Sequence, residues 1–457
     1  METHRALGDS PSFSKERLLR ILGVTFGVAV GIGGTIGIGI LRIPGSVAAQ
    51  LGHSGLIMAA WIVSGLYAFA GANTYAELGT MLPLDGGPYV YARRAYGEFG
   101  GFLVGWSDWL LRTSSMAYLA VALTEYAAGL FSYNPGVITP AAIAVLIFFT
   151  AFHWLGLRVG SRAQEIMSLF KVLAFFVIIA ACFLFSPKLS VAPSAKPLLF
   201  SDPKLLFVAI ALSMQSILGT YSGWHAPVYF SEENIDPTKS IPRSLFTGAA
   251  LVMAIYVLVN LAILHALPMS KLAGSKLAAA DAAQLIFGGY SSQIVTGIML
   301  VSLLGIINAS FLFTPRVMFA LSRDGLFFHS AARINTVGTP ATALLVTAFV
   351  AIILAGVGSF DRLFGFTAFL SVLVDVAAFG TVFVLRWREP DLPRPFRARG
   401  YPVLPAIVFL GAGLLLIAFI VSSTQNSLYA MIGIAVSYPV YLLLKSLVKA
   451  VAVVQRR

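Results

Sequence analysis

The sequence predicts an all-α protein that crosses a lipid bilayer about twelve times, and three observations lead to that prediction. Hydrophobic residues make up 58% of the 457 residues and charged residues only 11%, whereas soluble domains contain roughly 25% charged residues. Continuous apolar runs recur, each long enough for the about 20 residues that a helix needs to cross the hydrocarbon core. The alternating segments of a transmembrane barrel do not occur in the sequence.

The apolar runs follow one another with short polar loops between them. Twelve spans place both chain ends on the same side of the membrane. The predicted spans cover residues 20–48, 54–80, 97–130, 138–157, 162–185, 204–232, 242–267, 284–320, 339–357, 362–387, 402–422 and 428–450.

Lys and Arg concentrate in the loops on the side of the two chain ends, for example at Arg93 and Arg94, while the opposite loops hold few, such as Lys271. Basic residues remain on the cytoplasmic side of membrane proteins, so we expect a multi-pass protein of the plasma membrane with cytoplasmic termini. Because the net charge of +12 arises from these loops of a membrane protein, we expect no nucleic-acid partner. Residues 1–19 form a polar tail without the apolar core of a signal peptide.

The first span is interrupted. Its segment Val30–Gly45 contains Pro44 near its end and combines apolar residues with glycines, which weaken a helix and allow another group to approach the backbone. Such a segment is tolerated in a membrane where it faces a cavity, so we interpret it as a broken helix with a binding role. The alternative is a close helix-packing face, because small residues spaced by four also serve that purpose. The glycines are Gly31, Gly33, Gly34, Gly37 and Gly39.

A second interruption lies in the sixth span, where Gly219, Ser222, Gly223 and Pro227 break the apolar run. Interruptions in the first and sixth spans divide the first ten spans into two halves of five. Paired interruptions at corresponding positions indicate the midplane binding site of a transporter. The two halves share no visible residue identity, so this inference depends on topology.

Six motifs in order resemble the amino acid–polyamine–organocation superfamily of permeases, and within it the bacterial and L-type amino acid permeases. The resemblance covers nearly the whole chain. The motifs are Ile36-Gly37-Ile38-Gly39-Ile40 with Pro44, the segment Tyr75–Trp106, Gly223-Trp224 followed by Glu232, Glu233, Asp236-Pro237 and Ile241-Pro242-Arg243, the run RVMFALSRDGLFF from Arg316, Thr339-Pro340, and LRWREPDLPRPFRARGYPVLP from Leu385.

The resemblance implies a LeuT-type inverted repeat of five plus five helices in residues 20–400, followed by two further helices in residues 401–457. It also implies a permease for amino acids, mainly neutral L-amino acids, that works without sodium by proton symport or by exchange. The substrate carboxylate is then expected to bind backbone amides at the N-terminus of a half-helix, and the substrate ammonium to bind carbonyl oxygens that the breaks leave free. The partial charges of helix ends favour the same arrangement, because the N-terminus is positive and the C-terminus is negative. The residues that this assignment implicates are Thr35, Ile36, Gly37, Ile38, Gly39, Gly219, Tyr221, Ser222, Gly223 and Trp224.

Two positions depart from the family pattern. Ile38 stands where L-type members often have Ser, which removes a hydroxyl but keeps the backbone amide. Gly219 stands where an aromatic residue commonly closes the pocket. Either Tyr221 or Trp224 takes over that closing role, or the pocket is larger than usual.

Lys171 lies well inside the predicted fifth span. Charged residues inside spans are functional by default, and in the resembling permeases a lysine at this position replaces a sodium ion and bridges the first and eighth helices. We therefore expect Lys171 to be a coupling residue. Asp108 and Arg112, spaced by four, suggest an ion pair within one helix, while the roles of Arg42, His225 and Asp375 stay open.

Other functions fit the sequence less well. A permease for cationic amino acids or polyamines needs carboxylates at the pocket, and Asp108 and Glu125 are the nearest candidates; a non-transporting sensor is a more remote alternative. No enzymatic role is expected, because the spans lack a catalytic cluster, and neither a cofactor nor a metal is expected. The loop Phe131–Val137 has no cysteine and Cys182 is the only one in the chain, so no disulfide-linked accessory subunit is expected.

Overall fold

The computed structural model describes residues 18–185, 203–357, 360–422 and 424–454. The tail predicted for residues 1–19 lies almost wholly outside these ranges. The same holds for Lys188 and Lys196 in the loop after the fifth predicted span, and for the C-terminal Arg456 and Arg457.

The described residues form fifteen α-helices joined by short loops and 3₁₀ turns. The helices are α1 (Val24–Thr35), α2 (Gly39–Leu51), α3 (Ser54–Met81), α4 (Pro88–Phe131), α5 (Ile138–Trp154), α6 (Leu157–Phe185), α7 (Pro203–Tyr221), α8 (Pro237–Ala266), α9 (Met269–Ala273), α10 (Ala278–Phe287), α11 (Ser291–Arg323), α12 (Ala341–Val357), α13 (Phe360–Arg388), α14 (Val403–Ser422) and α15 (Thr424–Val454).

The helices confirm a multi-pass membrane protein. Within the described ranges, nine helical segments are long and apolar enough to cross a bilayer, and the pair α1 and α2, which meet at 48°, raises the number to ten. Two further predicted spans correspond to α4, which carries several charged residues, and to α12, which has only 17 residues. The total of twelve therefore stays a prediction.

Two helix boundaries differ from the predicted spans for identifiable reasons. The third span was expected to begin at residue 97, but the helix starts at Pro88 and continues through a kink at Gly97, whose φ of 83° lies in the left-handed region. The eighth span was expected to begin at residue 284, but α10 ends at Phe287 and Gly288, with φ of 56°, separates it from α11. Glycine reaches these backbone angles without the steric cost that other residues incur.

The broken first span lies at the centre of the packing. The half-helix α1 packs against α8, α6 and α11, whereas α2 packs against α7, α9 and α10. On the other side of the bundle, α4 packs extensively against α13 and α11. The two halves of the first span therefore have mainly different neighbours, although α8 contacts both.

Several loops meet at one end of the bundle, here called the basic end because most Lys and Arg residues of the loops belong to it. Asp85 Oδ1 accepts a hydrogen bond of 2.7 Å from the amide of Glu232, which joins the loops 82–87 and 231–236. Tyr89 donates a hydrogen bond of 2.8 Å to Asp324. Side-chain contacts between distant loops thus hold this end together.

One short piece of β-type pairing lies at the basic end. Leu22, which precedes α1, forms an isolated parallel bridge with Asn234. The amide of Leu22 donates to the carbonyl of Glu233 at 3.0 Å, and the amide of Ile235 donates to the carbonyl of Leu22 at 2.9 Å. The start of the first span is thereby bonded, main chain to main chain, to the segment that follows the sixth.

Candidate functional site

The break in the first span exposes main-chain groups on both sides. The helix α1 ends at Thr35, Ile36 has extended backbone angles, and α2 begins at Gly39. The amides of Gly37, Ile38 and Gly39 lie before or within the first turn of α2, where N–H groups have no acceptor inside the helix. This geometry supplies the donors that the sequence predicted for an anionic group.

The break in the sixth span lies directly beside the first. The helix α7 ends at Tyr221, and a 3₁₀ turn over Ala226–Phe230 follows. Between them Gly223 has a φ of 114°, and a Cβ atom at Gly223 would overlap the carbonyl oxygen of Gly34. Only glycine fits this position, because both the backbone angle and the space exclude a side chain.

Tyr256 of α8 joins the two breaks. Its hydroxyl lies 2.8 Å from the carbonyl oxygen of Thr220 and 3.1 Å from that of Thr35. The ring is fully buried and packs against Trp61 and Tyr221. A carbonyl oxygen has two lone pairs, so Thr35 keeps acceptor capacity for a ligand. Sequence reasoning missed Tyr256, because nothing in the apolar run around it distinguishes a bridging tyrosine from a packing one.

Space remains on the side of the sixth-span break that faces α13. A Cβ atom at Gly219 would meet no atom within 4 Å. Ser222 is exposed, and its Oγ lies 3.4 Å from Oγ of Ser371 on α13. The predicted residues Gly219 and Ser222 thus lie beside open space, and Ser371 is a further polar group there that the sequence analysis did not single out.

The two aromatic residues considered as a cover for the pocket are both buried. The Tyr221 hydroxyl donates to the carbonyl oxygen of Trp61 at 3.2 Å, which holds its ring between helices. Trp224 is 7% exposed and packs edge-on against Tyr75, with 5.3 Å between ring centroids. No atom of either ring lies within 4 Å of a Cβ atom placed at Gly219, and the choice between a displaced cover and a larger pocket stays a prediction.

Lys171 of α6 lies at the break of the first span. Its side chain is fully buried, and its ammonium donates to the carbonyl oxygens of Gly33 at 3.1 Å and Ile36 at 2.7 Å. A Cβ atom at Gly305 of α11 would lie 3.3 Å from Nζ, so the ammonium also packs against the eighth predicted span. Carbonyls that the break frees from helical bonding therefore surround this charge.

An ionic cluster of Asp108, Arg112, His225 and Tyr229, here called the Arg112 cluster, connects α4 to the sixth-span break. Arg112 Nε donates to Asp108 Oδ1 at 2.9 Å, which confirms the predicted ion pair. Arg112 Nη2 lies 2.8 Å from His225 Nε2 and donates to the Tyr229 hydroxyl at 2.7 Å. Because an arginine only donates, His225 accepts through Nε2 and carries its proton on Nδ1.

The Arg112 cluster is also enclosed by aromatic rings. The guanidinium lies 4.7 Å from the ring centroid of Tyr229 and 4.6 Å from that of Phe313. The Tyr229 hydroxyl donates to Asp108 Oδ2 at 2.7 Å. One positive and one negative charge are therefore paired here, with most of their hydrogen-bonding groups occupied.

Carboxylates and arginines form a second network at the basic end, where Asp85 and Glu233 lie in loops. Both carboxylate oxygens of Glu233 accept hydrogen bonds of 3.0 Å from Arg316, and the neighbouring Asp85 is fully buried. Burial and the nearby carboxylates of Glu233 and Glu232 raise the pKa of Asp85 well above its usual value. Burial also raises the pKa of Glu233, although Arg316 opposes that shift.

Two family motifs meet at Glu77. Arg386 Nε donates to Glu77 Oε1 at 2.8 Å, Arg394 Nε lies 3.3 Å from the same oxygen, and the amide of Ala398 donates to Oε2 at 2.6 Å. The segment from Leu385 is thereby fixed to the segment from Tyr75. Sequence analysis identified both motifs by resemblance but did not reveal this contact.

The remaining candidates are distributed elsewhere. Arg42 is exposed on α2, and Cys182 is buried in α6. Among the residues that the structure describes, no three His, Cys, Asp or Glu side chains form a group suited to a metal ion.

Comparison with known proteins adds independent information. A family model described as "Amino acid permease" matches residues 18–440. The chain is 29% identical over 439 residues to the serine/threonine exchanger SteT of Bacillus subtilis, an alignment that covers 93% of this chain and 96% of that protein. It is 29% identical over 446 residues to the large neutral amino acids transporter small subunit 2 of Mus musculus, with 93% and 81% coverage. The b(0,+)-type amino acid transporter 1 of the same species is 27% identical over 430 residues, with 92% and 85% coverage.

Proposed function

The chain belongs to the amino acid permease family, and on that premise we propose that it is a secondary active transporter of neutral L-amino acids. The observation that carries this proposal is the contact between the two breaks, where Gly223 lies against Gly34 beside the open space at Gly219 and Ser222. The similarity of the chain to proteins named as amino acid transporters and exchangers supports transport rather than catalysis.

The proposed binding mode uses main-chain groups. The substrate carboxylate binds the amides of Gly37, Ile38 and Gly39, where the positive end of α2 favours an anion. Its ammonium binds carbonyl oxygens at Thr35, Gly219 and Ser222, of which Thr35 is already positioned by the Tyr256 hydroxyl. Ile36, Tyr221, Gly223 and Trp224 shape this site from within the two breaks.

The proposed substrate class is neutral because the groups beside the open space carry no charge. Ser222 and Ser371 contribute hydroxyls there, and Gly219 contributes no side chain. Asp108 and Arg112 of the neighbouring Arg112 cluster already pair with each other. Similarity to a serine/threonine exchanger and to a transporter of large neutral amino acids supports the same class.

In this proposal, Lys171 makes amino acid transport independent of sodium. Its ammonium occupies the position between α1 and α11 and donates to Gly33 and Ile36, so a fixed positive charge already meets the carbonyls that a sodium ion would need. A second cation beside it would be repelled strongly in a medium of low dielectric constant. Lys171 is thus proposed to hold the two helices together during part of the transport cycle.

The proposed cycle is alternating access in a LeuT-type inverted repeat with twelve spans, both termini being cytoplasmic in the plasma membrane. The basic end then faces the cytoplasm, and in this proposal the buried ion pair between Glu233 and Arg316 closes it. Opening toward the cytoplasm requires that this pair separates. The outward path would close in the same step.

The protein is proposed to work without a disulfide-linked subunit, although one similar protein is named as a small subunit. The loop between the third and fourth predicted spans has no cysteine, and Cys182 is buried. A disulfide-linked complex isolated from native membranes would contradict this part of the proposal.

The test is uptake of radiolabelled amino acids into proteoliposomes that contain the purified chain. We expect exchange and uptake of L-serine, L-alanine or L-leucine, unaffected by replacement of sodium with choline. Uptake confined to L-lysine or putrescine would contradict the neutral class and favour the cationic alternative. Binding of an amino acid without any flux would contradict transport and identify a sensor.

A further inference from the structure

Asp375 of α13 lies close to the candidate site, and none of the interactions described so far involves its side chain. It is four residues from Ser371, so the two side chains lie on the same face of the helix, about 6 Å apart along its axis. Ser371 touches Ser222 at the sixth-span break. Because α13 continues to Arg386, which binds Glu77 at the basic end, Asp375 lies on the basic-end side of Ser371.

The charge of Asp375 has no cation of its own. It interacts electrostatically with Arg112 and Asp108 of α4, but the Arg112 guanidinium already binds Asp108, His225 and Tyr229. Among the described residues, no side chain or amide forms a hydrogen bond or an ion pair with the Asp375 carboxylate. An ionised Asp375 would therefore give this region a net negative charge.

The groups that face Asp375 from the other neighbouring helices do not neutralise it. On α3, Tyr67 and Tyr75 interact with it, but the Tyr67 hydroxyl already donates to the carbonyl of Val408 at 2.7 Å. The helix α14 contains no titratable side chain. On α15, Lys445 binds Glu98 at the basic end.

Tyr75 provides a second, independent indication of a binding site. Its side chain is fully buried, and its hydroxyl has no hydrogen-bond partner among the described residues. The ring stacks on His225, with 5.2 Å between centroids. The ring also packs against Phe379, which lies one helical turn from Asp375 on α13, with 5.6 Å between centroids. Leaving a buried hydroxyl without a partner is costly, so the unpaired Tyr75 hydroxyl near the unpaired Asp375 carboxylate points to a missing positive charge or hydrogen-bond donor.

We infer that Asp375 is a proton-binding site that couples amino acid transport to a proton gradient, an inference that rests on the proposed function. A carboxylate inside a membrane bundle is stable when it is paired or neutralised. A bound proton neutralises Asp375 and gives it a donor for a neighbouring acceptor such as the Tyr75 hydroxyl. Lys171, by contrast, has hydrogen-bond partners in this conformation, because it donates to the carbonyl oxygens of Gly33 and Ile36.

The location suggests how release of the proton is linked to transport. Asp375 takes up one proton from the outer side while the Arg112 cluster is closed. When the sixth-span break moves, His225 and Tyr229 leave Arg112, the guanidinium becomes available to the Asp375 carboxylate, and the proton passes to water at the basic end. One proton then crosses with each zwitterionic amino acid, so that one positive charge moves per cycle.

The experiment compares the wild-type chain with Asp375→Asn in proteoliposomes, using radiolabelled L-serine, L-alanine and L-leucine. With an acidic exterior, we expect the wild type to accumulate substrate several-fold above equilibrium. Asp375→Asn should lose this accumulation but keep exchange against preloaded substrate within about threefold, because a neutral side chain replaces the protonated carboxyl. The matched control is Asp391→Asn, which removes an exposed carboxylate outside the spans and should behave as the wild type.

A second variant keeps the test decisive if Asp375→Asn does not fold. Asp375→Glu retains a carboxyl group and should retain proton-driven accumulation, with a changed dependence on external pH. For the wild type itself, a pH-sensitive dye inside the vesicles should report acidification when substrate is added outside.

The possible failures are distinguishable. If the wild type exchanges amino acids but never responds to a proton gradient, or if Asp375→Asn still accumulates them, the inference is wrong and the proposed function stands. Loss of L-lysine transport alone in Asp375→Asn would also overturn it, because the carboxylate would then bind a cationic substrate. Absence of all amino acid exchange by the wild type would overturn the proposed function, and the inference with it.

Discussion

Gly223 packs directly against the carbonyl oxygen of Gly34, so at this point the interruptions of the first and sixth spans touch through main-chain atoms. Neither glycine has a side chain that could separate the two segments here. Small changes at either break are therefore transmitted to the other without any flexible group to absorb them, which makes these positions sensitive to substitution.

The first prediction concerns Gly223→Ala. A Cβ atom there overlaps the Gly34 carbonyl, and a φ of 114° is strained for alanine; together they should cost on the order of 1–3 kcal/mol or displace the two breaks. We expect a lower thermal unfolding temperature in detergent and more than a tenfold loss of uptake. Gly219→Ala is the control, since its Cβ atom meets nothing within 4 Å, and it should unfold at the wild-type temperature. Equal stability of both variants would contradict the proposed contact.

The second prediction concerns Gly39→Val. A Cβ atom at Gly39 lies 2.7 Å from Cγ2 and 3.3 Å from Cβ of Thr220, so a β-branched side chain should force the start of α2 away from the sixth-span break. Amino acid binding should be lost while the helical content stays unchanged, as measured by ligand-induced thermal stabilisation and circular dichroism. Gly297→Val places the same side chain in open space on α11 and should bind normally. Wild-type binding by Gly39→Val would refute the proposed site.

The third prediction concerns Lys171→Ala, which leaves the carbonyls of Gly33 and Ile36 without their donor. Net uptake should fall by more than tenfold, while equilibrium binding changes by only a few-fold, because one conformational step loses its bridge. Arg162→Ala on the same helix removes an exposed charge and should have little effect. Stimulation of the wild type by a sodium gradient, or full uptake by Lys171→Ala, would show that the lysine does not replace a cation.

The fourth prediction concerns the pH dependence of stability. The pKa of Asp85 is raised by burial and by the neighbouring carboxylates of Glu233 and Glu232, so the folded chain binds its proton more tightly than the unfolded chain does. The bound proton therefore stabilises the folded chain at low pH. This contribution to the free energy of unfolding begins to decrease near pH 4, about the ordinary pKa of an aspartate, and is lost as the pH rises through the pKa of Asp85 in the folded chain. Asp85→Asn should match the wild type at the acidic end and become the more stable protein as the pH increases.

Thermal unfolding across a pH series measures this difference. Asp236→Asn is a control with the opposite sign, because a hydrogen bond from Thr238 lowers the pKa of Asp236. The wild type should then gain stability over that variant as the pH rises. A difference between wild type and Asp85→Asn that is constant across the series would exclude the assigned protonation of Asp85.

Much of the architecture could be predicted because apolar length and glycine content are local properties of the sequence. The break at Gly37 and Gly39 is consistent with the low helix propensity of glycine, and the structure places the interruption between Thr35 and Gly39, inside the predicted segment Val30–Gly45. The pairing of Asp108 with Arg112 follows from helical spacing alone. Lys171 was recognisable because a charge deep in an apolar run needs a specific partner.

Other features depend on contacts between distant segments and have no local signal. Tyr256 bridges two carbonyls that are 185 residues apart in the chain, Thr35 and Thr220, and only the folded arrangement brings them to one hydroxyl. The attachment of Glu77 to Arg386 joins segments separated by 309 residues. The helical start at Pro88 was missed because the kink at Gly97 resembles a helix end in sequence.

The bridge between Leu22 and Asn234 has a mechanical and evolutionary consequence. It ties the start of the first span to the segment after the sixth by main-chain bonds, including one from Ile235 to Leu22. Main-chain bonds do not depend on which side chains are present, so mutation can change the surface of this junction and leave its connection intact. The parts of the first and sixth spans next to the basic end should therefore move together. This coupled motion should be retained as the sequence diverges, even where the residues that contact the substrate change.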